Sequence, residues 1–67
     1  MYGKLFRDKR LKRGLSQDEL AKISDIPRLT ILRIENDEQE PKLTQALKLM
    51  RVLNIAPYEL EETERVK

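Results

Sequence analysis

Apolar residues recur along the chain in small groups spaced three or four apart: Leu20 with Ala21, Ile31 with Ile34, then Leu43, Leu47, Met50 and Leu53. That is the period of helices with one buried face, and no alternating β-branched run competes with it. The spacing predicts an all-α chain of five helices joined by short turns. The first helix covers about 4–13 with Phe6 and Leu11 inward, and Gly14 follows it at a position suited to positive φ. Ser16-Gln17-Asp18-Glu19 reads as a capping box, with Ser16 at the N-cap and Glu19 at N3 of a second helix that runs to about residue 23. Ser24, Asp25 and Ile26 make a turn. Pro27 opens a third helix that ends at residue 35 or 36, with Asn36-Asp37 as a left-handed exit. A fourth helix begins after Pro41 and stops at Asn54. A short fifth starts near Pro57, holds Leu60 and gives way to a charged tail over 61–67. The expected core is Phe6, Leu11, Leu15, Leu20, Ala21, Ile26, Ile31, Ile34, Leu43, Leu47, Met50, Leu53, Ile55 and Leu60.

Length adds a constraint. A chain of 67 residues is expected to form one domain over 1–67, and such a domain buries only ~60% of the surface its unfolded form exposes. There is no cysteine to brace it and no histidine, so the commonest general base and the commonest zinc ligands are missing. With no phosphate-cradling glycine loop either, neither an enzyme nor a metal or cofactor site is expected. No apolar run reaches the ~20 residues of a membrane span, and the first ten residues lack the apolar stretch of a signal peptide, which makes the cytoplasm the expected location.

Net charge is only +2, yet it is unevenly placed. Residues 1–34 hold nine Lys/Arg against four Asp/Glu, and residues 35–67 hold five against eight. A basic half beside an acidic half suits a molecule with one face turned to a polyanion.

The stretch over about 17–35 has a more specific pattern. Leu20 and the small Ala21 face inward, Asp25 sits in a turn that wants left-handed geometry, and Ile26, Ile31 and Ile34 fill the angle between two helices. This is the arrangement of a helix-turn-helix. At 100° per residue Ile31 and Ile34 point one way, while Leu29 points nearly opposite, flanked by Arg28, Leu32 and Arg33. Arginine pairs with guanine O6 and N7, and an apolar side chain can touch the thymine methyl. Arg28, Leu29 and Arg33 are therefore the candidates for base contact, with Leu32 turned more toward another protein surface.

Gly14-Leu15-Ser16-Gln17, Glu19-Leu20-Ala21, the run from Arg28 to Asn36, Pro41-Lys42-Leu43 and Leu53-Asn54-Ile55 together resemble the Cro and phage-repressor family of helix-turn-helix regulators. The resemblance covers about 5–60. It implies a compact five-helix, lambda-repressor-like domain that lays its third helix in the major groove of double-stranded DNA, and dimers that read palindromic operators. It implies a phosphate contact for Gln17, for which a helix N-terminus is also suited. Thr30, Lys42 and Lys9 are weaker phosphate candidates. It further implies an ion pair between Arg10 and Glu35 that orients the third helix, and a homodimer contact, at least on DNA, around Pro57, Tyr58 and Leu60. Three features depart from the family pattern. Asn36-Asp37-Glu38-Gln39-Glu40 is acidic where glycine and basic residues are usual, Ser24 stands in place of a larger apolar residue, and Pro27 replaces a Ser or Thr cap. The acidic loop and the outward leucines also fit an alternative, a protein-interaction module of the same fold acting through a protein partner, in the manner of an antitoxin or accessory regulator.

Overall fold

The computed structural model describes residues 2–65, and for residues 64 and 65 the backbone only. Among them are five helices and no strand: α1 (Gly3–Lys12), α2 (Gln17–Ser24), α3 (Arg28–Glu35), α4 (Leu43–Leu53) and α5 (Pro57–Arg65). The helix α2 packs on α3, α1 packs on α3 and α4, and α2 also meets α4. Phe6, Leu20, Ile26, Ile31, Ile34, Leu49, Leu53 and Ile55 close one core between them. No helix of the described residues is long and apolar enough to cross a membrane.

Helix ends explain how so short a chain makes four sharp turns. Gly14, Asp25, Asp37 and Asn54 all take positive φ, between 56° and 70°. After α1, α3 and α4 this lets two backbone N–H groups fold back onto the last carbonyls. Leu15 bonds Arg10 and Gly14 bonds Leu11; Glu38 bonds Arg33 and Asp37 bonds Ile34; Ile55 bonds Met50 and Asn54 bonds Arg51. Those are Schellman closures, which satisfy carbonyls a helix would otherwise leave orphaned. The residue after the left-handed position is sent back toward the core: Ile26 and Ile55 are buried and Leu15 is half-buried. At the other ends, the Ser16 hydroxyl accepts from the Glu19 N–H while the Glu19 carboxylate accepts from the Ser16 N–H, so the capping box is complete.

The loop after α3 is tied to α1. Asp37 Oδ1 accepts the Gly3 N–H at 3.0 Å, so the left-handed acid also caps α1. Gly3 is buried at this crossing, and a Cβ there would collide with the carbonyls of Ile34 and Glu35. Ser24, which looked too small for its turn, is buried with its hydroxyl donating to the Leu20 carbonyl at 2.6 Å.

The observed core differs from the expected one in two helices. Leu11 is 57% exposed. It stands five residues after Phe6, about 140° around the helix, whereas Arg10 falls within about 40° of Phe6 and takes the inward place. In α4, Leu43 and Leu47 are exposed, and Leu49, absent from the expected core, is buried with Leu53. Seven of the eleven residues of α4 are apolar, so its sequence offers two overlapping stripes. The closed one runs through Ala46, Leu49 and Leu53; the open one through Leu43 and Leu47. The fifth helix also runs on to Arg65, beyond the point where a charged tail was expected to begin, and 66–67 lie outside the described residues.

One carboxylate joins α5 to α1. Glu59 lies 2.6 Å from the Lys9 ammonium and accepts the Ala56 N–H at the helix start. The hydrogen bond from Lys9, then that from the Ala56 N–H, holds its pKa below the ordinary value. Glu19 is held down first by the Ser16 N–H and then by the Ser16 side chain. A carboxyl whose folded pKa is depressed contributes stability above its unfolded pKa, and that contribution is lost as pH falls through the folded value. The melting temperature should therefore drop as pH is lowered below about 4, and Glu59→Gln should flatten that dependence. Packing gives a second expectation: Ile31→Ala should cost ~2–5 kcal/mol in denaturant unfolding, against less than ~0.5 for Leu43→Ala.

Candidate nucleic-acid interface

The residue that organises the α2–turn–α3 unit is Glu35, the last of α3. Both its oxygens are taken by Arg10 of α1: Nε donates to Oε2 at 2.7 Å and Nη2 to Oε1 at 3.0 Å. Arg10 Nη1 donates to the Leu15 carbonyl at 2.9 Å, and Gln17 Nε2 of α2 donates to Glu35 Oε1 at 3.2 Å. Arg10 and Glu35 are only 7% and 6% exposed. Among the described residues no buried side-chain nitrogen or oxygen lacks a partner. A bidentate pair of this kind fixes orientation as well as distance, so the end of α3 is clamped to α1 and to the start of α2. The pair expected between Arg10 and Glu35 is present, with Gln17 added to it.

With Ile31, Ile34 and Glu35 buried on one side of α3, Arg28, Leu29, Leu32 and Arg33 are left exposed on the other. Leu29 is 55% and Leu32 37% exposed, and Thr30 is half-buried at the flank. The helix thus presents two long cations and two apolar side chains on a convex surface. A guanidinium offers a planar fork of donors, and an isobutyl group offers shape without hydrogen bonds. Together they can complement acceptor-rich base edges and methyl groups in a groove wide enough to admit a helix.

Other candidate residues fall at different distances from that surface. Gln17 opens α2 beside the end of α3, and its bond to Glu35 uses one of its two amide hydrogens. Lys42 is exposed at the N-cap of α4, where its N–H donates to Gln45 Oε1. Lys9 instead faces α5, paired with Glu59. Pro57 and Tyr58 are exposed at the start of α5, and Leu60 is half-buried against the core.

A helix-turn-helix family model matches residues 6–60, which takes in most of α1, all of α2 to α4 and the start of α5. The chain belongs to the helix-turn-helix family, in its Cro and phage-repressor type. No curated protein and no solved structure matches it. Families of this kind bind DNA and are typically non-enzymatic.

Sequence reasoning missed two participants. Asp18 of α2 lies 3.4 Å from Arg28, and Asp37 caps α1. Asp18 carried a signal only as a first-turn acid of α2, because its neighbour across the turn depends on how the helices cross. The left-handed exit was legible at Asn36-Asp37, but the bond from Asp37 to Gly3 spans 34 residues and has no local trace.

Removing Glu35 strands a buried guanidinium, which costs far more than an exposed charge. Glu35→Ala should lower stability by ~3–5 kcal/mol, while the exposed Glu38→Ala should stay within ~0.5, as read by chemical denaturation. Equal effects would show that the clamp does not orient α3.

Proposed function

We propose that the chain is a sequence-specific DNA-binding transcriptional regulator that reads the major groove with α3, as a dimer on a palindromic operator. The observation that carries this reading is the outer face of α3. It holds Arg28 and Arg33 exposed beside Leu29, on a helix whose inner face is held by Ile31, Ile34 and the Glu35 clamp. A rigid helix presenting arginines loses little freedom on docking. Arg28 and Arg33 take guanine edges, Leu29 takes a thymine methyl, and Gln17, Thr30 and Lys42 take phosphates. Lys9 reaches a phosphate only by leaving Glu59.

One domain of this size spans a short half-site, and two copies supply useful specificity. Pro57 and Tyr58, exposed beside half-buried Leu60, are the proposed contact between copies. The cytoplasm is the proposed location.

A second reading has its own support. Leu29 and Leu32 are exposed on α3, Ile23 is 58% exposed on α2, and Glu38 and Glu40 are exposed in the loop that follows α3. Apolar side chains beside acids suit a protein partner better than a phosphate backbone. On this reading the α2–turn–α3 surface docks another protein, and DNA binding is secondary.

Selection of bound sites from a random duplex pool separates the two. The DNA reading expects a motif with two-fold symmetry. On that motif Arg28→Ala should cost ~1–3 kcal/mol and relax one base pair, whereas Lys42→Ala should weaken all sequences alike and lower the salt slope by about one. Failure to enrich any sequence, with Arg28→Ala silent, favours the protein-partner reading. Light scattering with and without the selected duplex tests the dimer: two chains per saturated site are expected, and a single chain there refutes it.

A further inference from the structure

Arg28 and Arg33 share the outer face of α3, yet their surroundings differ. Arg28 Nε lies 3.4 Å from Asp18 Oδ1, whereas no ion pair of Arg33 occurs among the described residues. Asp18 is the second residue of α2 and Arg28 the first of α3, so both stand on helix starts held together by the packing of α2 on α3. The Arg28 side chain is 63% and the Asp18 side chain 67% exposed, so the pair is weak and its effect on Arg28 is modest.

A guanidinium bonds guanine O6 and N7 through its Nη atoms. An unrestrained arginine must give up several torsional freedoms to reach that pose. A carboxylate facing Nε can restrain the stem of the fork without occupying its tip. We infer that Asp18 is a positioning residue for Arg28, holding the guanidinium through Nε and leaving the Nη1/Nη2 edge for guanine. Asp18 itself touches no base. It sets how strictly one base pair of the operator is read, and this inference rests on the proposed reading of DNA by α3.

Asp18 also has a cost, since a carboxylate near the DNA backbone repels phosphates in every sequence. Substituting it therefore has two separable effects. Loss of charge raises affinity for all DNA, and loss of the restraint lowers discrimination at one position. Asparagine removes the charge but keeps an oxygen able to accept from Nε, so comparing asparagine with alanine isolates the restraint.

The experiment uses the whole chain as wild type, Asp18→Ala, Asp18→Asn and Arg28→Ala. Each is titrated by fluorescence anisotropy, at one salt concentration, against the selected duplex, the same duplex with the Arg28-dependent base pair exchanged, and an unrelated duplex. An arginine–guanine pair discriminates roughly 5- to 150-fold, and Arg28→Ala should abolish that ratio. Asp18→Ala should cut it by at most about fivefold, the limit of what a weak exposed pair supplies, while strengthening binding to the unrelated duplex. Asp18→Asn should strengthen that binding equally and keep most of the ratio. If Asp18→Ala leaves the ratio intact while Arg28→Ala abolishes it, positioning by Asp18 is refuted and base reading by Arg28 stands. Equal losses with alanine and asparagine refute it too, leaving Asp18 a purely electrostatic role. If Arg28→Ala changes nothing, both ideas fall together.

Discussion

The structure depends on one carboxylate at the end of α3. Glu35 is buried, so it must be fully paired, and its three bonds come from two residues: Nε and Nη2 of Arg10 on α1, and Nε2 of Gln17 at the start of α2. Arg10 adds the Leu15 carbonyl, which belongs to the turn before α2. A buried charge that loses any of these contacts is heavily penalised. The two helices of the α2–turn–α3 unit are therefore joined by polar bonds as well as by apolar packing. The apolar core holds the helices together, and the Glu35 cluster ties α1, the start of α2 and the end of α3 to one another.

Helix termination does the remaining work, and it does so with acids and amides where glycine would be conformationally cheapest. Asp25, Asp37 and Asn54 occupy left-handed backbone. Asp and Asn tolerate that region because short polar side chains find local bonds there. At Asp37 the side chain serves a second purpose, since its carboxylate receives the Gly3 N–H and so caps α1 from a loop on the far side of the crossing. Glycine at 37 would relieve backbone strain and lose that bond. An acid that reads in the sequence as a burden next to DNA is thus explained by an internal contact.

Much of this was legible because it is local. The capping box at Ser16 and Glu19, the left-handed turns at Gly14 and Asp25, the inward Ile31 and Ile34 and the outward Arg28, Leu29 and Arg33 all follow from spacing within one helix or turn. The expected Arg10–Glu35 pair came from resemblance, since 25 residues separate the two. What spacing could not deliver was the choice between two apolar stripes on α4, which depends on where α1 and α2 press against it. Leu11 was misplaced for a related reason: an apolar residue was preferred to a neighbouring arginine, although helical angle favours Arg10, and only the buried partner on α3 makes that arginine affordable. The contacts of Asp18 and Asp37 depend on tertiary crossings and leave no periodic trace.

The charge pattern gains a different meaning from these contacts. Of the four acids in the basic half, Glu19 closes a cap, Asp8 pairs with Lys4, Asp18 faces Arg28, and Asp25 forms a turn. In the acidic half, Glu35, Asp37 and Glu59 all reach back to α1, through Arg10, Gly3 and Lys9. Most of these acids thus serve caps, turns and pairs within the fold, while Glu38 and Glu40 stay exposed in the loop after α3. Their negative charge still acts at a distance, within a screening length of ~8–10 Å in ordinary salt. On the proposed reading, a net charge of only +2 and an acid facing Arg28 hold down the sequence-independent term that dominates most DNA binding. Base contacts then carry a larger share of the total, while the specificity ratio, from which a term common to all sequences cancels, is left to them alone. A surface with more lysine and less acid would bind every duplex more tightly and distinguish its operator no better.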